Sequence, residues 1–250
     1  MKSKQYRDLS LIDLPDGEQL VIACDSSAGI GDKKNDMIQI DPAIMAGYSL
    51  RVPLMELICF NADPIVVIDT VGNEMTPTGE RIIKGIKNEL VKAGLEHIPL
   101  NGSTEDNMIT KTTSLGVTIV GMRPQGTIRA ITNPTLSVFQ LGTPYVGESV
   151  KQHLSDIFSY DLVRKIRSDS AVYDMLPVGS KGIGFEIKQM AATHQLQVTP
   201  VISWTRPEIK QSAGPATVIL IGVDEKLAES FHERYPELRL VAKLKRGVIK

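Results

Sequence analysis

The residues of this chain that could carry chemistry are carboxylates, and they fall where strands end and helices begin. The segment DSSAGIGDKKND (25–36) holds Asp25, Asp32 and Asp36, the glycines Gly29 and Gly31, and the adjacent Lys33 and Lys34. Further acids follow at Glu56, Asp63 and Asp69, and at Glu105 and Asp106 within NGSTEDN (101–107). Carboxylates gathered in one crevice repel one another, so such a group is favourable only with cations to neutralise it. Mg²⁺ suits this set, because it takes oxygen ligands, keeps water and bridges one or two carboxylates to phosphates. Lys33 and Lys34 would then meet phosphate oxygens as compact point charges. By spacing alone, the same loop reads more simply as a solvated turn, with Asp25 capping it and Asp32 facing water. Glu56 is different: Leu54, Met55, Leu57, Ile58 and Phe60 surround it, and a charge there needs a cation or a hydrogen-bonded partner.

Motifs that would define other chemistry are absent. The chain has no GxxxxGK[ST] phosphate loop, no GxSxG elbow, no HExxH and no Cys/His metal spacing. AGIG lacks the third glycine of a dinucleotide fingerprint, and its loop begins with Asp. His97, His153, His194 and His232 are scattered and read as surface or packing residues.

The elements that must position these acids follow from periodicity. LVIAC (20–24) is a short apolar run expected as a buried strand ending at the acidic loop. Ile44 to Phe60 has helical spacing with a kink at Pro53, and IVVIDTV after Pro64 reads as a second strand. Thr76-Pro77 marks a helix start, Ile82, Ile83, Ile86, Leu90 and Val91 form its apolar stripe, and Gly94 ends it. NGSTEDN reads as a turn and LGVTIVG (115–121) as a strand. RPQG (123–126) is the best break, dividing the chain into expected domains 1–125 and 126–250. Beyond it lie a β-rich stretch (127–140), a Gly-rich turn (VGSKGIG, 178–184) opening a helix, a strand at 217–223, a helix after Asp224 and a last strand near Leu238. The fold class expected is α/β (α+β) in two domains.

Composition narrows the classes further. With 250 residues, 28 Lys+Arg against 29 Asp+Glu and 42% hydrophobic residues, the chain is neither disordered nor a general basic binder of nucleic acid. Cys24 and Cys59 are too few for a disulfide framework and read as buried small hydrophobes. The apolar runs fall short of the roughly 20 residues of a membrane helix and the first residues lack a signal-peptide core, so a cytoplasmic protein without a membrane partner is expected.

Four blocks, in order, resemble the aminoimidazole ribonucleotide synthetase (PurM-like) superfamily, which includes thiamine-monophosphate kinase, selenophosphate synthetase and the hydrogenase-maturation dehydratase. ACDSSAGIGDKKND resembles the loop after the family's first strand. LMELICFNADPIVVID resembles its N-D, six residues, G-A-x-P block, with Glu56 standing for the Asp and Asn61-Ala62-Asp63-Pro64 for G-A-x-P. NGSTEDN resembles the G-G-[DE]-T turn, with Thr104 kept, Ser103 replacing the acid, and Glu105 and Asp106 just downstream. VGSKGIGFEIKQMA resembles the Gly-rich turn on the substrate side. The short chain and the wording GSTEDN are most similar to the small α-ribazole kinase branch, and the paired-Asp loop (G-D-D-A) of thiamine-phosphate kinase is missing.

The resemblance implies a PurM-like two-domain fold that pairs through its N-terminal sheet as a homodimer and binds ATP with Mg²⁺. It implies Asp25, Asp36, Glu56 and Asp106 as metal ligands, and Asp25, Lys33 and Asp106 as catalytic. Gly29, Gly31, Lys33, Lys34, Gly102 and Thr104 are implied at the nucleotide, and Asp174, Gly179, Lys181 and Gly182 at a small-molecule acceptor. The expected activity is phosphorylation of a nucleoside-like acceptor, α-ribazole first, with the 25–36 loop as a mobile lid. A thiamine-monophosphate kinase-like enzyme, another PurM-type ATP-dependent synthetase and a non-catalytic nucleotide-binding module are the alternatives.

Overall fold

The computed structural model describes residues 2–126 and 135–247. The chain falls into two compact units, Met1–Gln125 and Gly126–Lys250. In the first, β1 (Lys2–Tyr6), β2 (Leu9–Asp13) and β3 (Glu18–Ala28) form an antiparallel meander. Two short bridging strands, β4 (Ile30–Gly31) and β5 (Ile38–Gln39), lead to α1 (Pro42–Phe60) and β6 (Asp63–Val71). A π-helical turn (Met75–Gly79) opens α2 (Glu80–Lys92), followed by β7 (Leu100–Thr104) and β8 (Ser114–Pro124). The main sheet has the order β1-β2-β3-β8-β6-β7, antiparallel except for the β6–β7 pair.

Helix α1 starts two residues before the expected Ile44. Asp41 accepts a hydrogen bond from the Ala43 N–H (2.8 Å), and Pro42 occupies the first turn, where a missing N–H costs nothing. Pro53 lies within the helix. By length and hydropathy α1 would pass as a membrane span, but 72% of its apolar window is buried inside the protein, between the sheet and α2. Ser49 meets Ser27 (2.7 Å), and a side chain at Gly121 would strike Leu57. The odd-numbered residues of β3 and β8 therefore face α1. The opposite face is open, with Cys24 exposed, not buried as expected, and Ile68 40% exposed. Cys59 is buried.

The second unit builds a five-stranded antiparallel sheet, β10-β12-β9-β13-β11, from β9 (Thr135–Gly142), β10 (Val172–Pro177), β11 (Gln197–Pro200), β12 (Val218–Asp224) and β13 (Arg239–Lys245). Its helices are α3 (Glu148–Gln152), α4 (Tyr160–Ser168), α5 (Ile183–Thr193) and α6 (Ala228–Arg234). Ile183, Ile187 and Met190 of α5 pack on Leu136, Val138, Val218 and Leu220 of the sheet. The 127–134 part of the expected β-rich stretch lies outside the described residues.

The expected turn at NGSTEDN is overturned in its first half: Leu100–Thr104 is a strand, laddered along β6 from Val67–Leu100 to Val71–Thr104. Partnership with an ordered neighbour overrides the low strand preference of Asn, Gly and Ser. At the expected helix start Thr76 has extended backbone (φ −114°, ψ 121°), and the chain from Pro77 runs through a π-helical turn into regular helix at Glu80. Ile82, Ile86 and Leu90 are buried, whereas Val91 of the expected stripe is 61% exposed.

Candidate active site

The acidic loop departs from β3 later than its sequence suggests, because Asp25 to Ala28 continue the ladder with β8. The chain then turns at Gly29 (φ +72°) and folds back on Thr113, the residue before β8. Asp36, buried at 6% exposure, is the pin. Its Oδ1 accepts from the Thr113 N–H (2.7 Å), and its Oδ2 accepts from the Thr113 hydroxyl (2.7 Å) and the Lys33 N–H (2.9 Å). A side chain at Gly31 would overlap the Thr113 hydroxyl, so a residue without one is required for this closure. Arg81, from the first turn of α2, pairs with both Asp32 and Asp41 and straps the two ends of the loop. The free lid expected from composition is a tethered loop, because its acids and Gln39 are spent on internal bonds.

Lys33 does not point free into solvent. Its ammonium donates to both carboxylate oxygens of Glu74 (2.9 Å each), while Glu74 Oε1 also accepts from the Thr78 hydroxyl (2.5 Å). Burial pushes the Glu74 carboxyl up, but the Thr78 and Lys33 donors outweigh it and hold the group below its ordinary pKa. Beside it, Asp106 accepts from the Met75 N–H (2.8 Å) and the Thr104 hydroxyl (2.5 Å), which hold its pKa down. Lys34 is exposed. Met75 then lines an open cavity of about 430 Å³ with Glu80, Ile83, Lys84, Lys87 and Asn88. Met75 and Ile83 give it apolar lining, and Lys84 and Lys87 against Glu80 leave it net positive. Sequence reasoning missed Glu74, Arg81 and this cavity. The one legible signal was that Ile83 and Lys84 share a helix surface with Lys87 by i, i+4 and i, i+3 spacing.

A second pair of carboxylates lies on the face of the sheet that α1 covers. Asp25 pairs with Val117, Val117 with Asp69, and Asp69 with Gly102, so the four form one row across β3, β8, β6 and β7. Strand spacing puts the two acids about 10 Å apart. Burial raises the pKa of both, opposed at Asp25 by a hydrogen bond from the Ser26 backbone. Gly102 has its place here for space, since a side chain would strike the Asp69 carboxylate.

The expected metal set does not assemble. Among the described residues no three His, Cys, Asp or Glu side chains are grouped to hold an ion. Asp36 already accepts three hydrogen bonds. Glu56, half-buried with a polar partner of its own, sits beside Leu57 at the Val21–Gly121 end of the sheet, four residues along β3 from Asp25. Two acids on a strand and a loop cannot be brought to the far part of a rigid 19-residue helix. What remains fits Mg²⁺ that arrives on phosphates and needs one or two carboxylates, with Asp106 the accessible one.

In the second unit, Asp174 of β10 is buried and hydrogen-bonds His194 Nε2 (2.7 Å), so this histidine has a specific partner. Gly182 (φ +80°) precedes α5 and packs on the backbone of 209–211, a position closed to any side chain. Gly179 and Lys181 are exposed, and the Lys181 ammonium lies 4.4 Å from the Phe185 ring centre.

No protein-family model matches the chain, and no curated protein matches it in sequence. Solved structures do. Thermotoga maritima PurL complexed with ATP superposes with a TM-score of 0.63 at 15% identity, over 95% of this chain and 42% of PurL. The chain thus spans less than half the length of PurL. Thiamine-monophosphate kinase from Aquifex aeolicus gives 0.65 at 13% identity, over 98% of this chain and 90% of the kinase. A chain of the HypE–HypF complex gives 0.65 at 12% identity, with the same coverages. The likeness shows the fold: the chain has the mixed α/β fold of the PurM-like proteins.

Proposed function

We propose that this protein is an ATP- and Mg²⁺-dependent small-molecule kinase, acting in the cytoplasm as a homodimer on a nucleoside-like acceptor, α-ribazole before others. The observation that carries the reading is the lysine-rimmed cavity at Met75, Ile83, Lys84 and Lys87, joined through Met75 to Asp106, Thr104 and the Lys33–Glu74 pair. The apolar Met75 and Ile83 suit a purine ring, and the two lysines suit the phosphates. Similar PurL structures hold ATP or AMPPCP, and two similar structures are thiamine-monophosphate kinases, which supports a nucleotide as the ligand. The open sheet face of the first unit, with Ile68 exposed, supports pairing of two copies there.

In this reading the chain needs little covalent chemistry. Phosphoryl transfer is accelerated by holding donor and acceptor in line and by cations that absorb charge on the transferring oxygens. Lys84 and Lys87 hold the nucleotide, Lys33 and Lys34 contact phosphate, and Asp106 takes up Mg²⁺, which offsets phosphate charge when bound. Asp25, with its pKa raised by burial, is the carboxylate suited to receive the acceptor's hydroxyl proton. Transfer of label from γ-labelled ATP is tested with α-ribazole, thiamine phosphate and aminoimidazole precursors. A stable phosphate ester supports the kinase, whereas free phosphate with a new C–N bond supports a synthetase of the PurL kind. ADP release with none of these acceptors refutes the kinase.

A further inference from the structure

We propose that the Lys33–Glu74 ion pair is a latch: it locks the 29–41 loop against the turn that opens α2, and an incoming phosphate releases it by taking Glu74's place on Lys33. The proposal rests on the reading of Lys33 as a phosphate contact.

The geometry gives the latch two anchored halves. Lys33 is fixed to its loop because its own N–H donates to Asp36 (2.9 Å), and Asp36 is bound to Thr113. Glu74 is fixed to the head of α2 by the buried Thr78 hydroxyl (2.5 Å). Arg81 of α2 also pairs with Asp32 and Asp41 at the two ends of the loop, and the ammonium and the carboxylate are the link at its middle, through two bonds of 2.9 Å. Their side chains are 19% and 31% exposed, so a solute can reach them. Glu74, next to Met75 in the chain, and Asp106, bonded to the Met75 N–H, place two negative charges beside the Met75 cavity. With Lys33 held by Glu74, its ammonium is not free to meet an anion, and Lys34 is the exposed lysine of the loop. A phosphate is a stronger competitor than one carboxylate, because it offers more oxygens and more charge.

The test compares the wild-type chain with Glu74→Gln, a near-isosteric change, and Lys33→Gln, which removes the ammonium. Hydrogen exchange of the 29–41 amides in the free proteins reads the lock, and titration with MgATP and with tripolyphosphate reads the release. Both variants are expected to speed exchange by about tenfold, as for loss of one charge-assisted contact. Their effects on binding are opposite: Glu74→Gln binds MgATP about fivefold tighter, because the competent state is more populated, and Lys33→Gln binds it about tenfold weaker. A purely structural pair would move binding in one direction for both. Unchanged exchange in Glu74→Gln overturns the lock, and weaker MgATP binding in that variant overturns the release. If no protein binds either anion, the nucleotide reading fails together with the release, while the exchange result still decides the lock.

Discussion

Replacing Asp36 with Asn separates a structural pin from a metal ligand. In the folded protein this carboxylate is buried and receives the Thr113 N–H, the Thr113 hydroxyl and the Lys33 N–H. Asparagine keeps one acceptor oxygen, for Thr113 N–H, and the hydroxyl can rotate to accept from the new amide. The Lys33 N–H is then left facing an N–H. Losing one charge-assisted bond and stranding one donor costs about 3 kcal/mol. For a unit of this size that lowers the melting temperature by roughly 10 °C. Scanning calorimetry in a chelating buffer, with hydrogen exchange on residues 29–41 to assign the transition, measures it. A metal-ligand carboxylate without its metal is a repulsive burden, and its removal would be neutral or stabilising. An Asp36→Asn protein as stable as wild type in chelator therefore refutes the pin.

Three further outcomes follow from the same geometry. Gly31→Ala destabilises by about 2–4 kcal/mol, because its new methyl meets Thr113 and Asp36, whereas Gly29→Ala costs about 1, having positive φ but open space; urea unfolding of the two variants checks the order. Burial raises the folded-state pKa of Asp25 and Asp69, so these groups contribute stability at low pH that is lost as pH rises through their folded values. Asn at either position should thus stabilise the protein at pH 7, with the gain shrinking toward about pH 4; a gain that grows on acidification contradicts the burial argument. Arg81→Gln releases both ends of the loop at once and should speed exchange across 29–41 while leaving the β9–β13 strands of the second unit unchanged. Uniform change across the chain would show global destabilisation instead.

Much of the fold was legible because burial writes itself into the sequence as apolar runs. LVIAC, IVVIDTV and TVILIGV are strands with one or both faces covered, and Ile82, Ile86 and Leu90 fall on one side of α2. Polar strands carried no such mark. Lys2–Tyr6 is an edge strand with little buried, and Asn101–Thr104 looks like a turn because its pattern reflects an edge position and the space Asp69 needs. The acids of the first block were legible as important, but not in kind. Whether a buried Asp meets a cation or a Thr113 hydroxyl depends on a residue 77 positions away, which no local spacing reports. Glu74 and Arg81 were hidden for the same reason: their partners, Lys33, Asp32 and Asp41, lie some 40 or more residues earlier.

The central claim is that the first unit holds ATP at the head of α2, and calorimetric titration of MgATP into wild type and a Lys84→Glu/Lys87→Glu variant tests it most directly. Both lysines are exposed at the cavity rim, so folding is expected to survive the change. Reversing two charges beside the phosphates should weaken binding by about 30-fold or more, steeply dependent on salt. Saturable binding to wild type with that loss is the predicted result; equal affinity in the two proteins, or no binding to wild type, contradicts the account.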